Sequence, residues 1–163
     1  IHEYNKEKVF NNKLSRARAK TAFFAWLYGS RTAVSSSERS YLEKFYGPSI
    51  LLDQYWDGNM VTTSYGKTIP NTSKHHALNY IIQSTTAELV IKQALKIKYF
   101  LESRNAASRI VFLVHDSIVL DVKNEDKNLI KDIVTLFGNT NFGKYKVNLK
   151  QGKTLGSLKR VTL

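Results

Sequence analysis

The chain has 163 residues, 42% of them hydrophobic, which suffices for one modest core and is too little for two full domains. Lysine and arginine number 25 against 13 acidic residues, a net charge of +12 spread along the sequence that points to a polyanionic partner, nucleic acid being the commonest. The absence of cysteine excludes disulfides and thiolate zinc sites and leaves magnesium as the natural metal, while no apolar run approaches the roughly 20 residues that span a bilayer and Ile1 to Phe10 lacks a signal-peptide centre.

Ser15 is placed to cap a helix through Ala17, Ala19, Ala22, Phe23, Trp26 and Leu27, an apolar set that Gly29 terminates. Along the same helix Arg16, Lys20, Phe24 and Tyr28 recur every four residues, so they share one slowly winding face, largely offset from the apolar one. Two cations near a helix start, where free N–H groups already favour anions, followed by two aromatics, suit a nucleoside triphosphate. An amphipathic helix with solvated cations and core aromatics is the alternative. Ser35 and Glu38 make a capping box for a short helix through Tyr41, Leu42 and Phe45, stopped by Gly47 and Pro48 and followed by a linker-like turn. Met60 to Thr63 and Lys67 to Ile69 read as a small hairpin.

From Lys74 to Glu102 the spacing predicts a long helix, with Leu78, Ile81, Ile82, Leu89, Val90, Ala94 and Leu95 as core positions. Asn79 and Gln83, four apart, share a face of it. Ile110 to Val114 and Ile118 to Val122 are two β-branched runs, expected to be buried and joined by a tight turn at His115, Asp116 and Ser117. Asn124 is expected to cap a helix through Leu129, Ile130, Ile133, Val134 and Phe137 to Gly138, with Tyr145, Val147 and Leu149 alternating as a last strand. The order gives an α+β class with an antiparallel sheet.

The run R-x-x-x-K-x-x-x-F-x-x-x-Y-G from Arg16 to Gly29 resembles the fingers-helix motif of family A DNA polymerases. V-H-D at Val114 to Asp116 resembles motif C of that family, and N-Y-I-I-Q-S-T-T-A-E from Asn79 is similar to its N-x-x-x-Q-G-T-A-A-D pattern. Ile1–His2 matches the end of its D-I-H segment, and Gly152 to Lys159 looks like its closing strand and tail. The resemblance implies helical fingers over residues 1–73 and a palm over residues 74–163. It implies that Arg16 and Lys20 hold the triphosphate of an incoming dNTP, with Lys20 also protonating the leaving pyrophosphate. Phe24 would lie against the sugar, Tyr28 near the templating base, and His2 would contact phosphate. Asn79, Gln83 and His115 would support the primer-template junction, and Asp116 would bind magnesium, two ions being expected.

The match departs from the family at Ser117, where a second acid is usual, and at His75, where many relatives carry a DNA-contacting arginine. The family's partner aspartate lies in motif A, upstream of the segment that Ile1–His2 resembles. The expectation is therefore the C-terminal portion of a polymerase whose motif A and thumb come from an upstream portion or a complementary N-terminal chain. A Lys-, Asn- and Ile-rich composition suggests an AT-rich phage or bacterial genome, and the expected compartment is the bacterial cytoplasm, that of a phage-infected host included. Ser30 and Ser117 also fit a single-subunit, phage-type RNA polymerase, and a non-catalytic DNA-binding module remains a third reading.

Overall fold

The computed structural model describes residues 1–162, which form two compact units, residues 1–85 and 86–162. The first unit opens with helix α1 (His2–Lys8) and helix α2 (Arg16–Leu27). Ser15 caps α2 as expected, its hydroxyl accepting from the Arg18 amide at 3.3 Å, and Tyr28 and Gly29 close it. Helix α3 (Ser36–Tyr46) begins with the full capping box, Ser35 accepting from the Glu38 amide and the Glu38 carboxylate accepting from the Ser35 amide at 2.7 Å. Phe23 and Trp26 of α2 bury with Val9, Phe10, Ala19, Val34 and Leu42 into one core cluster. Each such large apolar side chain, buried, contributes about 1.5 to 3 kcal/mol.

The linker expected after Gly47 is instead a helix, α4 (Pro48–Tyr55). Gly47, at φ 55° and ψ 44°, ends α3 in the left-handed conformation and also precedes α4, while Pro48 fills the first turn, where its missing N–H costs nothing. Strands β1 (Val61–Thr62) and β2 (Thr68–Ile69) form the expected hairpin. Val61 packs with Ala77 and Ile81, bounded by Leu52, Tyr55, Trp56 and Ile69.

Helix α5 (Lys74–Ser103) runs the predicted course, with Leu78, Ile81, Val90, Ala94, Ile97 and Leu101 buried. Leu95, expected in the core, is exposed because it lies on the rim of an open groove. In the second unit β3 (Arg109–Val114) pairs with β4 (Ser117–Asp121), and a bulge at Val111 shifts the register between Ile110 and Phe112. Ile110, Ile118 and Leu120 pack on Ile97, Leu101 and Ile133, the last from α6 (Ile130–Gly138). The strands are not buried on both sides as expected: Val111, Phe112, Leu113 and Val114 are all exposed.

A 3-10 turn over Asn124–Leu129 precedes α6, and Asn124 makes no cap. Asp126 of that turn instead accepts from the Ser108 amide at 2.7 Å, tying the turn to the base of β3. The α6 C-terminus is anchored by the buried amide of Gln93, whose Nε2 donates to the carbonyls of Leu136 (2.6 Å), Phe137 (3.2 Å) and Asn139 (2.8 Å). The single alternating strand expected at Tyr145, Val147 and Leu149 does not form. The chain makes β5 (Asn139–Thr140) with β6 (Gly143–Lys144), leaves residues 145–148 irregular, and pairs β7 (Leu149–Gln151) with β8 (Lys159–Val161). Tyr145 breaks the alternation because its amide donates back to Gly138. The α+β class holds, but among the described residues the strands pair as four separate antiparallel hairpins. Runs this short gain stability by packing on helices, as β3–β4 does.

Candidate active site

Three of the four ladder residues of α2 meet in one groove. Lys20, Phe24 and Tyr28 line it with Ala17, Thr21, Gly29, Ser30 and His75, around an open volume of about 830 Å³, ample for a nucleotide. Phe24 and Tyr28 stack with ring centroids 5.9 Å apart and planes 16° from parallel, and the Lys20 ammonium stands 6.0 Å from the Phe24 centroid. The result is a graded surface, cationic at one end and aromatic at the other. Four-residue steps advance about 40° around a helix each time, so Arg16 has wound away from Tyr28. Arg16 does not line the groove; its guanidinium lies 3.7 Å from the Glu3 carboxylate at an exposed position, a contact weak enough to yield to a phosphate.

His2 of α1 reaches the same region. Its ring packs on Phe24 at 5.5 Å and Phe23 at 6.2 Å, and its Nδ1 is buried with no hydrogen-bond partner among the described residues. Burial, reinforced by the charge of Lys20, lowers its pKa below 6.5. His2 is therefore neutral at pH 7 and able to accept or donate one hydrogen bond.

Gly29 explains why the groove ends where it does. Its φ of 97° suits glycine, and a Cβ there would stand 2.8 Å from Nδ1 of His75. His75 forms the far wall, a position that sequence reasoning noted only as a departure from an arginine. The signal was available in the glycine, which permits close approach of a residue from another helix. Beside it the Ser73 hydroxyl and His76 Nδ1 are 3.1 Å apart, which fixes the start of α5. One turn further along, Asn79 is half-buried with Oδ1 lacking a hydrogen-bond partner, while Gln83 is exposed. An amide carrying both a donor and a free acceptor can read minor-groove edges without regard to sequence.

In the second unit, His115 and Asp116 occupy the two-residue turn between Val114 and Ser117. His115 adopts φ 51°, a conformation that costs a non-glycine residue about 1 to 2 kcal/mol. The Ser117 hydroxyl donates to the Val114 carbonyl at 2.8 Å and closes the turn. Asp116 is exposed and makes none of the ion pairs found among the described residues. Asp121 is committed elsewhere, 3.2 Å from Lys123 and 3.8 Å from Arg109. Among the described residues no group of three His, Asp or Glu side chains is placed to hold a metal. A lone carboxylate suits a hard cation as one ligand, but these residues do not make a two-cation centre by themselves.

Comparison with known proteins agrees with this architecture. The fold matches the POL domain of Pol1 from M. smegmatis, a structure in complex with DNA primer-template and dNTP, with a TM-score of 0.67 and 21% identity over 85% of this chain and 31% of that one. The sequence profile of DNA polymerase family A matches residues 31–157, and the chain belongs to that family. The matched stretch contains α5 and the His115–Asp116 turn and begins after α2. A DNA polymerase I of Caldicellulosiruptor bescii is 24% identical over 82% of this chain, which spans 20% of that relative's length. Among the described residues no helix is long and apolar enough to cross a membrane.

Proposed function

We propose that the chain is the dNTP-binding and motif C portion of a DNA-directed DNA polymerase. The reaction is attack of a primer 3′-hydroxyl on the α-phosphate of a dNTP, with release of pyrophosphate. The observation that carries this reading is the graded groove of α2, in a chain that belongs to DNA polymerase family A. Lys20 and Arg16 hold the triphosphate, with His2 as a further phosphate contact. Phe24 meets the sugar and Tyr28 bounds the base. Lys20, reaching the leaving group, is placed to protonate it, a role typically worth about 10²- to 10⁴-fold. Asn79, Gln83 and His115 support the primer-template junction. Residues 1–73 act as fingers and residues 74–163 as palm.

Asp116 serves as one ligand of a magnesium centre whose other carboxylates come from outside these residues, in an upstream portion or a complementary chain. The exposed apolar residues Val111 to Val114 of β3 are the surface such a portion would cover. Family membership favours this reading over the RNA-polymerase alternative. To test it, the chain is combined with the motif A and thumb portion of a related polymerase, and primer extension is measured with dNTPs and with NTPs. Extension with dNTPs that Asp116→Ala abolishes, while duplex binding persists, supports the enzyme. Extension by this chain alone, or no dependence on Asp116, overturns it; in the latter case the non-catalytic module stands.

A further inference from the structure

Residues 139–163 carry six cations, Lys144, Lys146, Lys150, Lys153, Lys159 and Arg160, and not one carboxylate. All six are exposed. None forms an ion pair among the described residues, whereas in the same unit Lys98 pairs with Glu102 and both Arg109 and Lys123 pair with Asp121. The register of the last hairpin sharpens the point. Leu149 opposes Val161, both partly buried, and Lys150 opposes Arg160. Like charges directly opposite on antiparallel strands destabilise the pair. Arg160 donates to the neutral Asn148 side chain at 3.0 Å, which brings no opposite charge to the pair. Phe142, in the turn of the first hairpin, and Tyr145, on the link to the second, are exposed as well, Tyr145 at 57%.

We propose that these two hairpins, β5–β6 and β7–β8, form a sequence-independent contact for the phosphate backbone of DNA, additional to the groove of α2. This rests on the polymerase reading for its choice of polyanion. The local conflict at Lys150 and Arg160 has a physical resolution in such a partner: phosphates between the two cations replace repulsion with attraction, and the counterions they displace drive binding. Surface lysines kept only for solubility would be interspersed with acids, as they are elsewhere in the unit.

The test measures primer-template affinity of the full chain as salt is raised, for the wild type, for K150Q/R160Q and for a control, K8Q/K67Q, that removes the same charge from exposed positions in the other unit. Each lost phosphate contact lowers the salt slope by about 0.9, so K150Q/R160Q loses about 12-fold less affinity than the wild type between about 50 and about 200 mM salt. Its thermal midpoint is not lowered, because the repulsive pair is gone. The control keeps the wild-type slope. An unchanged slope in K150Q/R160Q, an equal reduction in the control, or no DNA binding by the wild type even at low salt overturns the proposal. Because the readout is equilibrium binding, an unchanged slope with binding retained leaves the polymerase reading intact, while loss of dNTP-dependent extension leaves the slope measurable.

Discussion

Substituting Gly29→Ala separates two costs that the structure places at one residue. At φ 97° an alanine pays backbone strain of about 1 to 2 kcal/mol, lowering the thermal midpoint by about 2 to 8 °C for a chain of this size. The new Cβ also meets Nδ1 of His75 at 2.8 Å and Cε1 at 3.0 Å, and a side-chain tip at the surface turns aside more easily than the backbone moves. The clash is therefore relieved by rotation of His75, which opens the wall of the α2 groove. Binding of a fluorescent dNTP analogue should weaken about fivefold, equivalent to roughly 1 kcal/mol of lost contact. The cycle with His75→Ala tells the two apart. G29A/H75A should bind nucleotide no worse than H75A, since the wall is already absent, and should remain as destabilised as G29A because the strain does not depend on the ring. A G29A protein as stable as the wild type would refute the strain argument. Additive losses of nucleotide affinity in the double variant would refute the assignment of His75 to the groove.

Gln93→Met keeps the length of the side chain and removes its donor, orphaning the carbonyls at the end of α6. With two N–H groups shared among three acceptors, the expected loss is about 2 to 3 kcal/mol, measured by urea unfolding, and no loss would mean that water substitutes for the amide. His2 makes stability dependent on pH. Its pKa is depressed in the folded state, chiefly by burial and then by Lys20, so its contribution is complete above 6.5 and declines as pH falls through the lower folded value. Unfolding measured from pH 8 to pH 5 should show that decline, and His2→Gln should flatten it. Asp126 shifts in the same sense for another reason: the Ser108 hydrogen bond holds its pKa below 3.8, so the stability it adds is present above that value and disappears on stronger acidification. A decline in stability on acidification below pH 5 that is the same in Asp126→Ala as in the wild type would contradict this.

Local chemistry decided which parts of this structure could be read from the sequence. Ser15, the Ser35–Glu38 box and the spacing along α5 each name a backbone event that depends on neighbours within a turn or two. Helix α4 was missed because Gly47–Pro48 carries both meanings, a stop for the helix before and a start for the helix after, and only the packing of Leu52 and Tyr55 on Val61 decides between them. The final strand failed for a non-local reason: Gly138, lacking a Cβ, lets the Tyr145 backbone pass so closely that its carbonyl oxygen stands 2.7 Å from where a Cβ would be. At the site, the four-residue repeat revealed the Lys20, Phe24 and Tyr28 face, while the role of His75 depended on a contact across the chain. The same repeat overstated Arg16, which winding carries off the groove.

The central claim is that the basic and aromatic face of α2 binds the incoming dNTP and that Asp116 is needed for its incorporation. The most direct measurement is a crystal structure of the complemented enzyme with primer-template and a non-hydrolysable dNTP. The account predicts the triphosphate within hydrogen-bond reach of Lys20, the sugar against Phe24, and a magnesium ion bound by the Asp116 carboxylate. A nucleotide bound away from α2, or an Asp116 carboxylate that holds no metal ion while the nucleotide is in place, would contradict it.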